Sequence, residues 1–153
     1  MKHLVLILSL MLIACDNSGS VSGGEASLTG SDLALEGRSS PDPSTTRLSE
    51  KGLYRVSIRS AVEPLRLNEL HSWMIHVETA DGEAVDNAEI AASGGMPEHN
   101  HGFPTAPKVN LNQDGGNYQL EGVKFSMPGW WEMRFNITAN GQTDTVVFNV
   151  LLP

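Results

Sequence analysis

One cysteine, few basic residues and no helical periodicity set the first bounds on this chain of 153 residues. The single cysteine, Cys15, leaves no partner for a disulfide within the chain and no thiolate pair for a zinc or iron–sulfur centre. Ten basic residues stand against eighteen acidic ones, a net charge of −8. That balance excludes nucleic acid as an expected partner, because phosphate binding needs a basic footprint. It also excludes electrostatic docking on anionic lipid. No aromatic residue precedes Tyr54. The apolar run at the N-terminus is too short for a permanent membrane helix, which needs about 20 residues.

That run belongs to a different signal. Lys2 supplies a positive start, Leu4 through Leu12 is apolar apart from Ser9, and Ala14 places a small residue before Cys15. A charged start, an apolar stretch and a small residue at the cut describe an export leader. Leu12-Ile13-Ala14-Cys15 resembles the lipobox of bacterial lipoproteins. The resemblance implies a leader over residues 1–14, diacylglycerol on the Cys15 thiol and a membrane anchor made of lipid. Removing the leader takes Lys2 with it, so nine basic residues would face eighteen acidic ones, a mature net charge of −9. Asp16 resembles the enteric signal that retains a lipoprotein at the inner membrane, facing the periplasm.

Residues 15–50 are rich in Gly, Ser, Thr, Pro and Asp. Such composition buries too little apolar area to offset ordering entropy, which predicts a flexible tether. Residues 51–153 are long enough for one modest core. Inside them the apolar period is two. Tyr54-Val56-Ile58, Trp73-Ile75-Val77, Trp131-Met133-Phe135-Ile137 and Val146-Phe148-Val150 each alternate with polar residues, as strands with one buried face do. Asp81-Gly82, Asp114-Gly115-Gly116 and Asn140-Gly141 supply turns between them. The expectation is all-β: an antiparallel, immunoglobulin-like β-sandwich of about seven strands.

The most unusual segment is residues 93–104, SGGMPEHNHGFP. It holds two histidines, a methionine, two prolines and three glycines. His99 and His101 converge on one ion if Asn100 is extended, since residues two apart then point the same way. Met127, in Phe125-Ser126-Met127-Pro128-Gly129-Trp130-Trp131, repeats the Met-Pro pair of Met96-Pro97. Thioether is a soft donor and imidazole a borderline one, so a Met/His set suits copper, as Cu(I) or Cu(II), better than calcium or magnesium. His76 and Met74 share a strand face opposite Trp73 and are accessory candidates, as are Trp130 and Trp131. The plain alternatives are core packing for Met127 and a structural or partner-contacting loop for MPEHNHG. No enzyme is expected: Glu98-His99 lacks the helix of a HExxH site, and Ser93 has no recognisable triad.

HSWMIHVETADGEAVDNAEI, then GGMPEHNHG, then a Gly-Gly-Asn-Tyr turn, then VKFSMPGWWEMRFNI resemble, in that order, the YtkA-like domain, which is related in architecture to FixH. The resemblance spans about residues 70–150. It implies an Ig-like β-sandwich outside the cytoplasm with no known enzymatic activity. It further implies that Met96, His99, His101 and Met127 are signature side chains, with Trp131 or Trp130 beside them. Metal-transport or oxidase-assembly proteins are the partners it suggests. FixH proteins carry a transmembrane helix, where this chain carries the lipobox-like motif.

Overall fold

A computed structural model of the chain describes residues 40–111 and 115–153. Cys15, the leader and most of the proposed tether lie outside the described residues. Among the described residues nine strands form two antiparallel sheets, and no α-helix occurs. In chain order they are β1 (Thr46–Leu48), β2 (Tyr54–Ser60), β3 (Leu70–Thr79), β4 (Glu89–Met96), β5 (His101–Gly102), β6 (Lys108–Leu111), β7 (Asn117–Lys124), β8 (Gly129–Ala139) and β9 (Gln142–Leu152). One sheet runs β1-β2-β3-β7-β6, the other β5-β4-β8-β9. The strands beyond the expected seven are short ones, with β1 and β5 only three and two residues long.

The expected alternation is the core. Val56, Ile75, Val77, Val123, Phe125, Trp131, Met133, Phe135, Ile137 and Phe148 are completely buried between the sheets. Removing this apolar area from water is the main stabilising term. Asn140 and Gly141 both have positive φ (52° and 75°), the type I′ geometry that joins two twisted strands most directly. The resulting β8–β9 hairpin pairs eleven residues on each side, from Gly129↔Leu152 to Ala139↔Gln142.

Residues 46–48, which the composition assigns to a tether running through Glu50, form a strand: β1 pairs with β2 from Thr46↔Ser57 to Leu48↔Arg55. Asp42 precedes it, accepting from the Ser44 hydroxyl and N–H and from Arg47. Those bonds, the Ser44 hydroxyl foremost, bring the Asp42 carboxyl down to about 2. A three-residue edge strand with exposed ends offers no apolar period, so composition alone reads it as linker.

β1 and the following turn also cover the free edge of β9. The Arg47 guanidinium donates to the Val147 carbonyl (2.9 Å), the Glu50 N–H to Thr145 (2.8 Å) and the Lys51 ammonium to Thr143 (2.9 Å). An unpaired edge strand is an aggregation hazard, and these donors occupy it. Asp144 holds the turn from inside. It is 2% exposed on the core-facing row, and it accepts from the N–H groups of Lys51 (3.0 Å), Leu53 (3.3 Å) and Thr145 (2.7 Å). Burial raises its pKa, but the Ser49 hydroxyl and these N–H groups outweigh burial and hold it below the usual carboxylate range. A lowered folded pKa stabilises the fold above the unfolded value of about 3.9 and withdraws that stability as pH falls below it. Asp144→Ala, by orphaning buried N–H groups, is expected to lose about 1–3 kcal/mol at pH 7. The gap should close on acidification, as read by urea unfolding at pH 7 and pH 3. A gap that is unchanged at pH 3 would contradict this account.

Candidate metal centre

The inner row of β4 loses bulk toward its end: Ile90, Ala92, Gly94, then Met96. Gly94 pairs with Met133, and an added Cβ there would come within 2.4 Å of the Phe103 ring and 2.3 Å of the Glu132 carbonyl. Phe103 therefore fills the space that Gly94 leaves. Its ring stacks on Trp131, with centroids 5.8 Å apart and planes 9° apart.

Between them the chain makes a compact reversal. Pro97–His99 is a 3-10 turn, and Asn100 closes it in the left-handed region at φ 51°, ψ 41°. Asparagine tolerates that region better than most side chains. β5 then runs back along β4, with Met96 opposite His101 and Gly95 opposite Gly102, and the Phe103 N–H donates to the Gly94 carbonyl at 2.9 Å. The extended Asn100 expected from the i, i+2 pattern is thus replaced by a turn. The two histidines nevertheless meet, with ring centroids 6.1 Å apart and planes 32° apart. Metal–imidazole bonds of about 2.0–2.1 Å place two rings sharing one ion at centroid separations of about 5–6.5 Å. The pair falls inside that range.

His101 is exposed, but one side of its ring rests edge-on against Trp131, at 5.5 Å and 71°. Its Nδ1 lies 3.1 Å from the Gly102 carbonyl. That contact selects the tautomer protonated at Nδ1 and leaves the Nε2 lone pair for a ligand. Met96, opposite His101, is 2% exposed, and its terminal methyl lies against Gly129: a Cβ on that residue (φ +112°) would sit 3.1 Å from it. Met127 is half-buried and packs on the core. Its carbonyl accepts the Trp131 indole N–H at 3.0 Å. His101 and the Met127 carbonyl thus both contact Trp131, Met96 stands opposite His101, and His99 stands beside His101 at the exposed rim.

The other accessory candidates lie elsewhere. Met74 and His76 are on the outer face of the five-stranded sheet. There His76 Nδ1 is 3.1 Å from Asn117 Oδ1 and Nε2 is 3.3 Å from Glu78. Trp130 points to the outer face of β8, donating to Asn149 at 2.9 Å. The tryptophan beside the loop is therefore Trp131.

One nearby histidine lies outside the sequence-based set. His71 is 2% exposed, with Nε2 2.8 Å from the Arg66 carbonyl, Nδ1 buried without a partner, and its ring 5.7 Å from Phe125. Its phase with Trp73, Ile75 and Val77 is the sequence signal that marks it as inward-facing.

Outside the reversal a shallow depression of about 380 Å³ opens over Gly94 and Gly95, bordered by Ser93, His101, Glu132 and Arg134. Arg134 is shared between Glu132 (3.8 Å) and Glu50 (3.7 Å). Among the described residues no group of three or more His, Cys, Asp or Glu side chains converges for a metal.

Residues 60–136, about half of the chain, match the model of the YtkA-like family. The chain belongs to the YtkA-like family. The matched stretch begins at the end of β2 and includes both the MPEHNHG reversal and the MPGWW segment. Among solved structures this YtkA-like chain is similar to the ZirS C-terminal domain, at 17% identity and a TM-score of 0.41, over 91% of this chain and 86% of that one. No curated protein matches the chain.

Proposed function

We propose that this YtkA-like protein is a lipid-anchored, extracytoplasmic copper-binding protein that buffers copper or passes it to a metal-transport or oxidase-assembly partner. The observation that carries the reading is the His99 ring 6.1 Å from the His101 ring, with Met96 opposite His101 across the β4–β5 pair. His99 and His101 are the primary ligands, at the surface where an ion arrives. Met96 and Met127 are the soft donors behind them. Such a set favours Cu(I): thioethers select the monovalent ion, whereas Cu(II) prefers tetragonal nitrogen and oxygen ligands. Exposed histidines suit transfer, because a partner's ligands reach the ion without opening the core. Two imidazoles backed by soft thioethers are a ligand set for a copper ion, so the reading is binding. Anchoring rests on the lipobox-like Leu12–Cys15 segment, which would leave the domain facing the periplasm on its tether.

The test is a Cu(I) competition titration of the full chain against a strong chelator. One equivalent should bind. His99→Ala/His101→Ala should abolish that binding, and Met96→Leu/Met127→Leu should weaken it by about 10–100-fold, the range for lost metal-site support. Uptake indifferent to the methionines would reduce the loop to a surface HxH and favour the reading of MPEHNHG as a protein-contact surface.

A further inference from the structure

Trp131 touches both segments that carry the proposed donors, and it touches them in different ways. Its ring plane is stacked by Phe103 at 5.8 Å and met edge-on by Phe125 at 5.4 Å and by His101 at 5.5 Å. Its only polar atom donates to the Met127 carbonyl at 3.0 Å. A buried indole N–H without an acceptor is costly, and Trp131 is completely buried, so this bond fixes the Met127 backbone. Pro128 adds to the constraint by restricting Met127 to extended conformations. On β8, the Met96 methyl lies against Gly129, two residues before Trp131. The other two tryptophans are built differently: Trp130 donates to Asn149 on the outer face, and the Trp73 indole N–H is buried with no partner.

We infer that Trp131 is a positioning residue that clasps the two halves of the copper site. Its ring holds His101 and its indole N–H holds Met127. The inference rests on the copper reading above and adds a mechanical coupling to it. An ion drawn between the exposed imidazoles and the Met127 thioether pulls on both ends of the clasp at once. The indole N–H···O bond therefore reports occupancy, although Trp131 is not itself a ligand.

The experiment is a ¹⁵N and methyl-methionine NMR titration of the full chain with Cu(I), beside the Trp131→Phe variant in the same chelator competition. Cu(I) should shift the Trp131 indole N–H together with the Met96 and Met127 methyls, and leave the Trp73 and Trp130 indoles unmoved. Trp131→Phe keeps a ring against His101 but drops the N–H. It is expected to weaken Cu(I) by about tenfold or more, as loss of a group orienting a ligand does. Methionine methyls that move while the Trp131 indole stays still, with Trp131→Phe as tight as the natural chain, would overturn the clasp and leave the copper site standing. Failure of the natural chain to bind Cu(I) would remove the copper reading and the clasp with it. Should Trp131→Phe not fold, the indole and methyl shifts of the natural chain decide the matter alone.

Discussion

Trp131→Ala is expected to destabilise the domain by about 3–5 kcal/mol, the range for truncating a large buried aromatic. Trp131 is completely buried and has three aromatic neighbours besides the strand partners of β8. Alanine leaves a hole that Phe103 and Phe125 cannot both enter, because Phe103 is already confined by the backbone at Gly94. It also strips the Met127 carbonyl of its donor. Domains of this size are stable by about 5–15 kcal/mol, so the loss is a large share of the total. Urea unfolding should show a much lower midpoint with an unchanged slope. Trp130→Ala is the comparison: that side chain is half-buried on the outer face, and its loss should be markedly smaller. Equal losses at the two positions would contradict the packing described here.

Gly94→Ala is expected to cost about 3 kcal/mol, the upper end of the usual range for overpacking. The added methyl would meet the Glu132 carbonyl at 2.3 Å and the Phe103 ring at 2.4 Å. A flexible side chain can move aside, but a strand carbonyl engaged in the β4–β8 ladder cannot. Phe103 would have to leave Trp131, and β5 would lose the Phe103 N–H bond to Gly94. The same change therefore weakens both the fold and the seat of His101. Gly102→Ala tests the claim locally, because its methyl would meet only the Gly94 carbonyl, at 3.3 Å. Thermal unfolding of the two variants should separate them by several degrees, Gly94→Ala being the less stable. A Gly94→Ala protein as stable as Gly102→Ala would show that the backbone there gives way easily.

Much of this fold was legible as alternation, because a strand with one buried face leaves a period of two in the sequence. The same alternation assigns Trp131 to the core row with Met133 and Phe135, which the structure bears out, whereas Trp130, kept beside it as an accessory candidate, points outward. Three features escaped for physical reasons. β1 is an edge strand held by backbone pairing and the Arg47 contacts rather than by apolar burial, so it has no hydrophobic signal. Asp144 occupies a core position by satisfying its carboxylate with backbone N–H groups, which a hydrophobic pattern counts as a break. The histidine reversal depends on Asn100 being left-handed, and a one-residue conformational choice is invisible to spacing. An extended Asn100 is what the spacing expects; the structure brings the two rings to 6.1 Å through a turn instead. His76 and Met74 were grouped with the loop on donor chemistry alone; the topology puts them on the outer face of the other sheet.

The most direct measurement of the central proposal is X-ray absorption at the copper edge of the Cu(I)-loaded full chain. Two imidazole nitrogens together with at least one thioether sulfur around the metal, the sulfur disappearing in Met96→Leu/Met127→Leu, is the result predicted here. A shell of nitrogen and oxygen alone, identical in the methionine variant, would contradict it.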